Sequence, residues 1–442
     1  MGERLAAALR DALRADPDDR CLEFDGEWWT RGELAGQVAA LDGELTAAGF
    51  GPDAAVGVMM RNDPATVVAV VALLSTQRTL IVFRAHLPPD ARRADVVARG
   101  VSALIDGGLS VLGAPGDGPS MPGVAVEMLT SGTTGPPKRV PLLYTTLEAS
   151  ILDGAARPSS DARIVWAPMT HLGGIWGVLQ TLLGGQQLVL MERFEVDGWV
   201  KRVRDHRPAV TGLPPAGLRQ VLDADVDAAD LSSLRAITTG TAPVKPELVT
   251  EFEARYDIPV LVTYGATEFA GPIAGWTVDD RRAFGATKVG SVGRPYAGVE
   301  TRVVDGVLEV RGARLGEAWL RTSDFAHVDE DGFVYIDGRA DDAIVRGGFK
   351  VSAGAVAAVL EEHPSVGAAA VVGLPDERLG EVPVAAVEAA VGGPAPDPAA
   401  LDAFLRERLP SYQVPVTIRV VDELPRNPTL KVDAVAVRRL FS

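Results

Sequence analysis

The sequence predicts an α/β protein: a large N-terminal domain on parallel and mixed sheets, then a small α+β C-terminal domain. Three observations predict it. Strand-like and helix-like segments alternate through most of the chain, the pattern of helices packed on a largely parallel sheet. Loops rich in small residues follow the apolar strands, where ligands bind in such folds. The pattern then changes at "DGFVYIDGRADDAIVRGGFKV", where short strands take over.

The elements follow in chain order. "MGERLAAALRDALRADPDDR" spaces apolar residues among Arg, Glu and Asp as an amphipathic helix does. "AAVGVMM" (Ala54–Met60) reads as a strand, and Asn62-Asp63-Pro64 starts the helix "ATVVAVVALL". "TLIVF" (Thr79–Phe83), "VAVEML" and "VPLLY" are further strands, and Thr145 with Glu148 has the spacing of a capping box opening the next helix. "RIVWAP" (Arg163–Pro168) leads through a Gly-rich turn into the helix "IWGVLQTLL". "AVTGLPP" and "AITTGTAP" are buried strands, each followed by a helix. Asp331-Gly332 is a turn between short strands. After Arg339 come the helix "AVAAVLEEH", the strands "VGAAAVVGL" and "VPVAAVEAA", a surface loop "VGGPAPDPAA", the helix "LDAFLRERL" and the strand "VTIRVV". The expected division is 1–338 and 339–442.

Bulk properties set limits on function. At 442 residues the chain exceeds one ordinary core. A net charge of -16 disfavours nucleic acid and anionic membranes, whose binding draws on Lys and Arg clusters. The single Cys21 excludes an intramolecular disulfide and a cysteine-cluster metal site. The N-terminus lacks the apolar core of a signal peptide. The longest apolar run, Ala65–Leu74, is shorter than the ~20 residues that span a bilayer. A cytoplasmic location is expected.

"EMLTSGTTGPPKRV" (Glu127–Val140) sets Thr130, Ser131, Gly132, Thr133, Thr134, Gly135 and Lys138 side by side. Small residues let backbone N–H groups approach an anion, hydroxyls add donors, and a lysine adds charge. Composition alone leaves both a phosphate cradle and a flexible polar loop open. It is not a Walker loop, because Arg139 follows Lys138 where Ser or Thr is required.

"LTSGTTGPPKRV" resembles the phosphate-loop signature of the adenylate-forming superfamily, which includes acyl-CoA synthetases, luciferases and peptide-synthetase adenylation domains. The resemblance continues in the family's order through "TTGTAP", "TYGATE", "GSVGRP", "WLRTSD", "GFVYIDGRADD", "RGGFKVS" and "PRNPTLKVD". It is nearest to the acyl-CoA synthetase branch and implies a mobile small domain. It also implies a reaction. A carboxylate attacks the α-phosphate of ATP, giving an acyl adenylate and pyrophosphate, and the thiol of CoA or of a carrier protein then displaces AMP.

The resemblance assigns roles residue by residue. Thr130, Ser131, Gly132, Thr133, Thr134 and Lys138 would hold the β- and γ-phosphates. Glu268 would hold Mg2+ and Thr267 contact the α-phosphate; standing alone, Glu268 would read as a solvated loop acid. Tyr264 would lie on the adenine face, with Gly240, Thr241 and Ala242 as the other wall and Gly265 and Ala266 beside it. Asp324 and Arg339 would bind the ribose, although Thr322-Ser323-Asp324 alone reads as a turn. Asp341 would be the hinge. Lys431, otherwise an ordinary solvated lysine, would be the catalytic lysine. His171 would sit beside the carboxylate, with Gly173, Gly174 and Trp176 shaping an acyl pocket; a buried, satisfied histidine is the alternative.

The sequence departs from the family in places. Ser323 and Leu430 stand where glycine is usual, the chain is short between Arg311 and Trp319, and Ala355 and Ala357 replace two glutamates. The expected function is an ATP-dependent carboxylic acid–CoA ligase using ATP, Mg2+ and coenzyme A on an apolar acid. A ligase loading a carrier protein and a non-catalytic nucleotide-binding relative are the alternatives. A homodimer stays open.

Overall fold

The computed structural model describes residues 2–130, 138–152, 161–312, 314–339, 343–347, 349–427 and 431–441. Packing divides them into two compact units, one holding 2–130, 138–290, 312 and 314–316, the other 291–311 and 317 onward. The strands from Val299–Val304 to Val334–Arg339 therefore group with the C-terminal part.

The first unit contains three sheets. In the largest, parallel strands Ala55–Met60, Thr79–Arg84 and Val124–Thr130 form the centre. The parallel Ala103–Ile105 extends it on one side, with Leu109–Val111 antiparallel at that edge and Lys138–Leu143 antiparallel at the other. Strand Ala55–Met60 is buried along its length, as a central parallel strand covered on both faces must be. A second sheet orders Glu27–Thr30, Arg20–Phe24, Gln187–Leu190 and Ala162–Val165. In a third, Val210–Gly212, Ala236–Thr239 and Val260–Ala266 run parallel, and Gly271–Gly275 returns antiparallel.

The helix starts follow from local chemistry. Helix Pro64–Ser75 has proline in its first turn and Asp63 as N-cap, accepting from the Thr66 N–H at 2.8 Å. Helix Glu3–Arg14 buries Leu5, Ala6 and Leu9, the stripe that its spacing predicts. The capping box expected at Thr145 and Glu148 is absent. That helix spans Tyr144–Ile151, so Thr145 lies inside it, past the N-cap position. Glu148 is buried and instead accepts from the Leu5 N–H at 3.1 Å, satisfying an orphan donor in the first turn of the other helix. A complete capping box does form at Thr30 and Glu33.

In the second unit, Val299–Val304, Val307–Gly312, Gly316–Val328 and Val334–Arg339 form one sheet. Another orders Phe349–Ser352, Ala343–Arg346, Gly380–Ala389 and Val366–Asp376, with Thr417–Val421 parallel to Gly380–Ala389. Helices Ala353–Glu361 and Pro398–Arg406 bury Val356, Leu360, Leu401 and Leu405 in the core beside it. The elements from Ala343 onward have the α+β order expected of the C-terminal part, but the compact unit that holds them begins at 291 and not at 339. Cys21 is buried, and burial pushes its thiol up to about 11, which makes it an inert core residue. Among the described residues, no helix is long and apolar enough to cross a membrane.

Candidate active site

Strand Val124–Thr130 and its antiparallel partner Lys138–Leu143 end together at the Thr130–Lys138 register pair. Ser131, Gly132, Thr133 and Thr134 lie outside the described residues, as does the hinge candidate Asp341. What the structure shows is the stem. Glu127, buried, takes a two-pronged contact from Arg99 at 2.6 and 2.7 Å and a third bond from Arg139 at 3.1 Å. Arg139 also reaches Asp95 at 2.7 Å. Two arginines and two acids thus neutralise one another and tie both strands to helix Pro89–Arg99.

Loops leave the third sheet at neighbouring strand ends. Strands Ala236–Thr239 and Val260–Ala266 are parallel partners, with Thr239 opposite Val262. Gly240 follows the first, and a Cβ there would stand 2.6 Å from the Thr263 carbonyl, so only glycine fits. Thr241 has φ 67, the left-handed region that a β-branched residue rarely adopts. The structure therefore brings the Gly240–Ala242 turn close to the strand that bears Tyr264 and Gly265. Tyr264 is half-buried opposite Ala274. Ala266 precedes a short 3-10 turn, Thr267–Phe269, on which Glu268 is exposed and Phe269 buried.

His171 is the N-cap of helix Leu172–Leu183 and makes no side-chain capping bond. Its approach loop is fixed by Asn62. The Asn62 Nδ2 lies 3.0–3.2 Å from the carbonyls of Trp166, Ala167 and Met191, and its Oδ1 accepts from the Met169 N–H at 2.8 Å. A buried amide satisfied at both ends holds this segment in one path. In the sequence Asn62 reads only as part of a helix start, because its partners lie more than a hundred positions away. The two glycines after His171 differ. A Cβ on Gly174 would meet the Pro168 and Ala167 carbonyls at 2.5 and 2.6 Å, so Gly174 serves helix packing, whereas Gly173 is exposed with space around it. Trp176 is half-buried, and its indole Nε1 donates to Ser150 Oγ at 3.1 Å.

In the second unit, Asp324 and Arg339 are directly opposite each other in the antiparallel pair Gly316–Val328 and Val334–Arg339. Asp324 is therefore a strand residue, and Thr322 Oγ1 accepts from its N–H at 3.0 Å. Lys431 is bonded through its backbone to Asn427. Its N–H donates to Asn427 Oδ1 at 3.1 Å, its carbonyl accepts from the Asn427 N–H at 2.8 Å, and Arg426 bridges Val432. Asp433 then caps helix Ala434–Arg439, accepting from Val435 and Ala436 at 3.0 Å. Asn427 and Asp433 make Lys431 a defined position, a role that nothing in the spacing of "PRNPTLKVD" announced.

Among the described residues, no group of three or more His, Cys, Asp or Glu is placed to hold a metal. An exposed single carboxylate such as Glu268 fits a Mg2+ ion that takes its other ligands from phosphate and water.

Two family models match the chain: "AMP-binding enzyme" over residues 9–115 and 111–327, and "AMP-binding enzyme C-terminal domain" over 355–431. The chain belongs to the AMP-binding enzyme family. It falls in the acyl-CoA synthetase branch of these adenylate-forming enzymes. One relative is the fatty acid–[acyl-carrier-protein] ligase ScoC of Streptomyces coeruleorubidus, 33% identical over 69% of this chain and 65% of its own length. Another is the 2-succinylbenzoate–CoA ligase of Bacillus pumilus, 27% identical over 94% of each chain. Among solved structures, the o-succinylbenzoate coenzyme A synthetase of Bacillus subtilis, in complex with ATP and a magnesium ion, superposes with a TM-score of 0.80. That match is 23% identical and covers 98% of this chain and 99% of the other. It shows that this AMP-binding enzyme shares the fold.

Proposed function

We propose that this AMP-binding enzyme is an ATP-dependent carboxylic acid–CoA ligase acting on an apolar medium-chain, alicyclic or aromatic acid. The observation that carries the reading is the match to a CoA ligase along 94% of both chains. In the first half-reaction a carboxylate oxygen bonds to the α-phosphorus, the bond to the bridging oxygen of the β-phosphate breaks, and pyrophosphate leaves. In the second, the thiol sulfur bonds to the acyl carbon and AMP leaves with the electron pair.

The chain's own residues supply position and charge, which is most of what such chemistry asks of a protein. Thr130, Ser131, Gly132, Thr133, Thr134 and Lys138 hold the terminal phosphates. Tyr264, Gly265 and Ala266 with Gly240, Thr241 and Ala242 hold the adenine, and Asp324 and Arg339 the ribose hydroxyls. Thr267 contacts the α-phosphate. Lys431 bridges the substrate carboxylate and that phosphate, and His171 lies beside the carboxylate. Glu268 would hold Mg2+, which when bound neutralises phosphate charge. Residues 339–442 move as a unit about Asp341 between the half-reactions. The protein acts in the cytoplasm, and a homodimer is a further proposal.

Incubation with ATP, Mg2+ and a panel of acids tests the acceptor: acyl-CoA should form when CoA is added. Loading of a carrier protein is the second reading, favoured by the 33% identity with ScoC. Acyl transfer to a phosphopantetheinylated carrier but not to CoA would establish it instead. Two substitutions test the site. Glu268→Gln should move the Mg2+ titration of activity to higher concentration, and an unchanged titration would remove Glu268 from the metal. Trp176→Ala should shift preference toward bulkier acids in a graded way, since one methylene is worth ~1–3 kcal/mol in such a pocket. Uniform loss with every acid would make Trp176 a packing residue.

A further inference from the structure

Of the three residues behind the Thr267–Phe269 turn, two accept side-chain hydrogen bonds and the third packs against a side chain. Ala270 closes the turn at φ 51, a conformation that side-chain-bearing residues avoid, and it is fully buried. Its carbonyl accepts the hydroxyl of Ser150 on helix Tyr144–Ile151. Gly271 has φ +132 and faces Trp176, where an added Cβ would stand 3.3 Å from Cζ2. The Pro272 carbonyl accepts from the guanidinium of Arg314. Ser150, only 1% exposed, joins two of these supports. Its oxygen accepts from the Trp176 indole N–H at 3.1 Å while its hydrogen goes to Ala270. One hydroxyl thus joins a buried carbonyl to a half-buried indole N–H.

A strained residue persists only where its surroundings over-determine it, and such strain gathers at functional sites. Glu268 lies two residues before Ala270. A displacement of about 1 Å at a reacting group is enough to cost roughly 10²-fold in rate. We infer that Ser150, Trp176 and Arg314 form a brace that sets the position of Thr267 and Glu268, with Ser150 the positioning residue at its centre. This rests on the reading of Glu268 as the carboxylate that meets the Mg2+–nucleotide.

The test compares wild type with Ser150→Ala, which removes both bonds, and Ser150→Cys, which keeps the volume and a weak donor. The first readout is amide hydrogen exchange in the nucleotide-free protein. Exchange over residues 264–272 should speed up by roughly 10–100-fold in Ser150→Ala, as for a lost buried bond. Strand Ala55–Met60 should not change. The second is the Mg2+ titration of acid-dependent pyrophosphate exchange, whose half-saturation should rise by a similar factor. Ser150→Cys should fall between, and it decides the matter if the alanine variant does not fold. Unchanged hydrogen exchange, or a fall in rate with the Mg2+ half-saturation unmoved, overturns the brace. If the wild type itself exchanges no pyrophosphate with any acid, the reading of Glu268 fails, and the positioning role fails with it whatever the hydrogen exchange shows.

Discussion

Lys431→Ala is expected to slow formation of the acyl adenylate by roughly 10²–10³-fold, the cost of removing one preorganised donor from a developing oxyanion. The thioester step should survive. Two half-reactions on one adenylate need different neighbours, so in the proposed role, bridging the carboxylate and the α-phosphate, Lys431 serves only the first. Its backbone is held on both sides by Asn427, at 3.1 and 2.8 Å, and alanine keeps those bonds. The substitution therefore removes an ammonium group and leaves the backbone bonds to Asn427 in place. Asp341→Pro should do the reverse under the proposed hinge role, because fixing φ there hinders the change of pose after the adenylate forms. Each variant is given synthetic acyl adenylate and CoA, and thioester is measured in a single turnover. Near-normal product from Lys431→Ala with a defect in Asp341→Pro is the expected pair. An equal loss of both steps in Lys431→Ala would end the assignment of the lysine to one pose.

The second large effect is on stability. Glu127→Ala should cost about 3 kcal/mol, because it strips Arg99 of its carboxylate and leaves Arg139 with Asp95 alone in a largely buried setting. Glu127→Gln should lose less, since it keeps an acceptor but no charge. The exposed Glu300–Arg311 pair has the same 2.7 Å separation as one of the Arg99 bonds, and Glu300→Ala should change little. Burial, not distance, separates the two cases. Urea unfolding followed by tryptophan fluorescence measures both. A Glu127→Ala shift as small as that of Glu300→Ala would mean that Arg99 finds water or another partner.

The strand and helix order was legible because apolar periodicity and Pro or Asp helix starts are local signals, as at Asp63-Pro64. The failure at Thr145 and Glu148 shows the limit of that reasoning. The same three-residue spacing caps a helix at Thr30–Glu33 and does not at Thr145–Glu148, because helix Tyr144–Ile151 starts before Thr145 and Glu148 is drawn to Leu5. The motif residues of the proposed site were assigned through family resemblance. Their supports were not. Asn62, Ser150, Glu127 and Asn427 are ordinary polar residues in the sequence. Most of the partners of Asn62 and Ser150 lie across more than a hundred positions, and those bonds exist only once the chain has folded. Asp324 read locally as a turn residue, yet the sheet places it in a strand opposite Arg339, since pairing partners decide what a short polar run becomes.

The central claim is that this chain activates a carboxylic acid at the expense of ATP. Exchange of labelled pyrophosphate into ATP measures that step alone, before any acceptor enters. The reaction should require Mg2+ and an apolar acid, vanish when the acid is omitted, and fall by roughly 10²–10³-fold in Lys431→Ala. Binding of ATP by equilibrium dialysis, with no exchange for any medium-chain, alicyclic or aromatic acid tested, would contradict the account and leave a nucleotide-binding protein without the ligase activity.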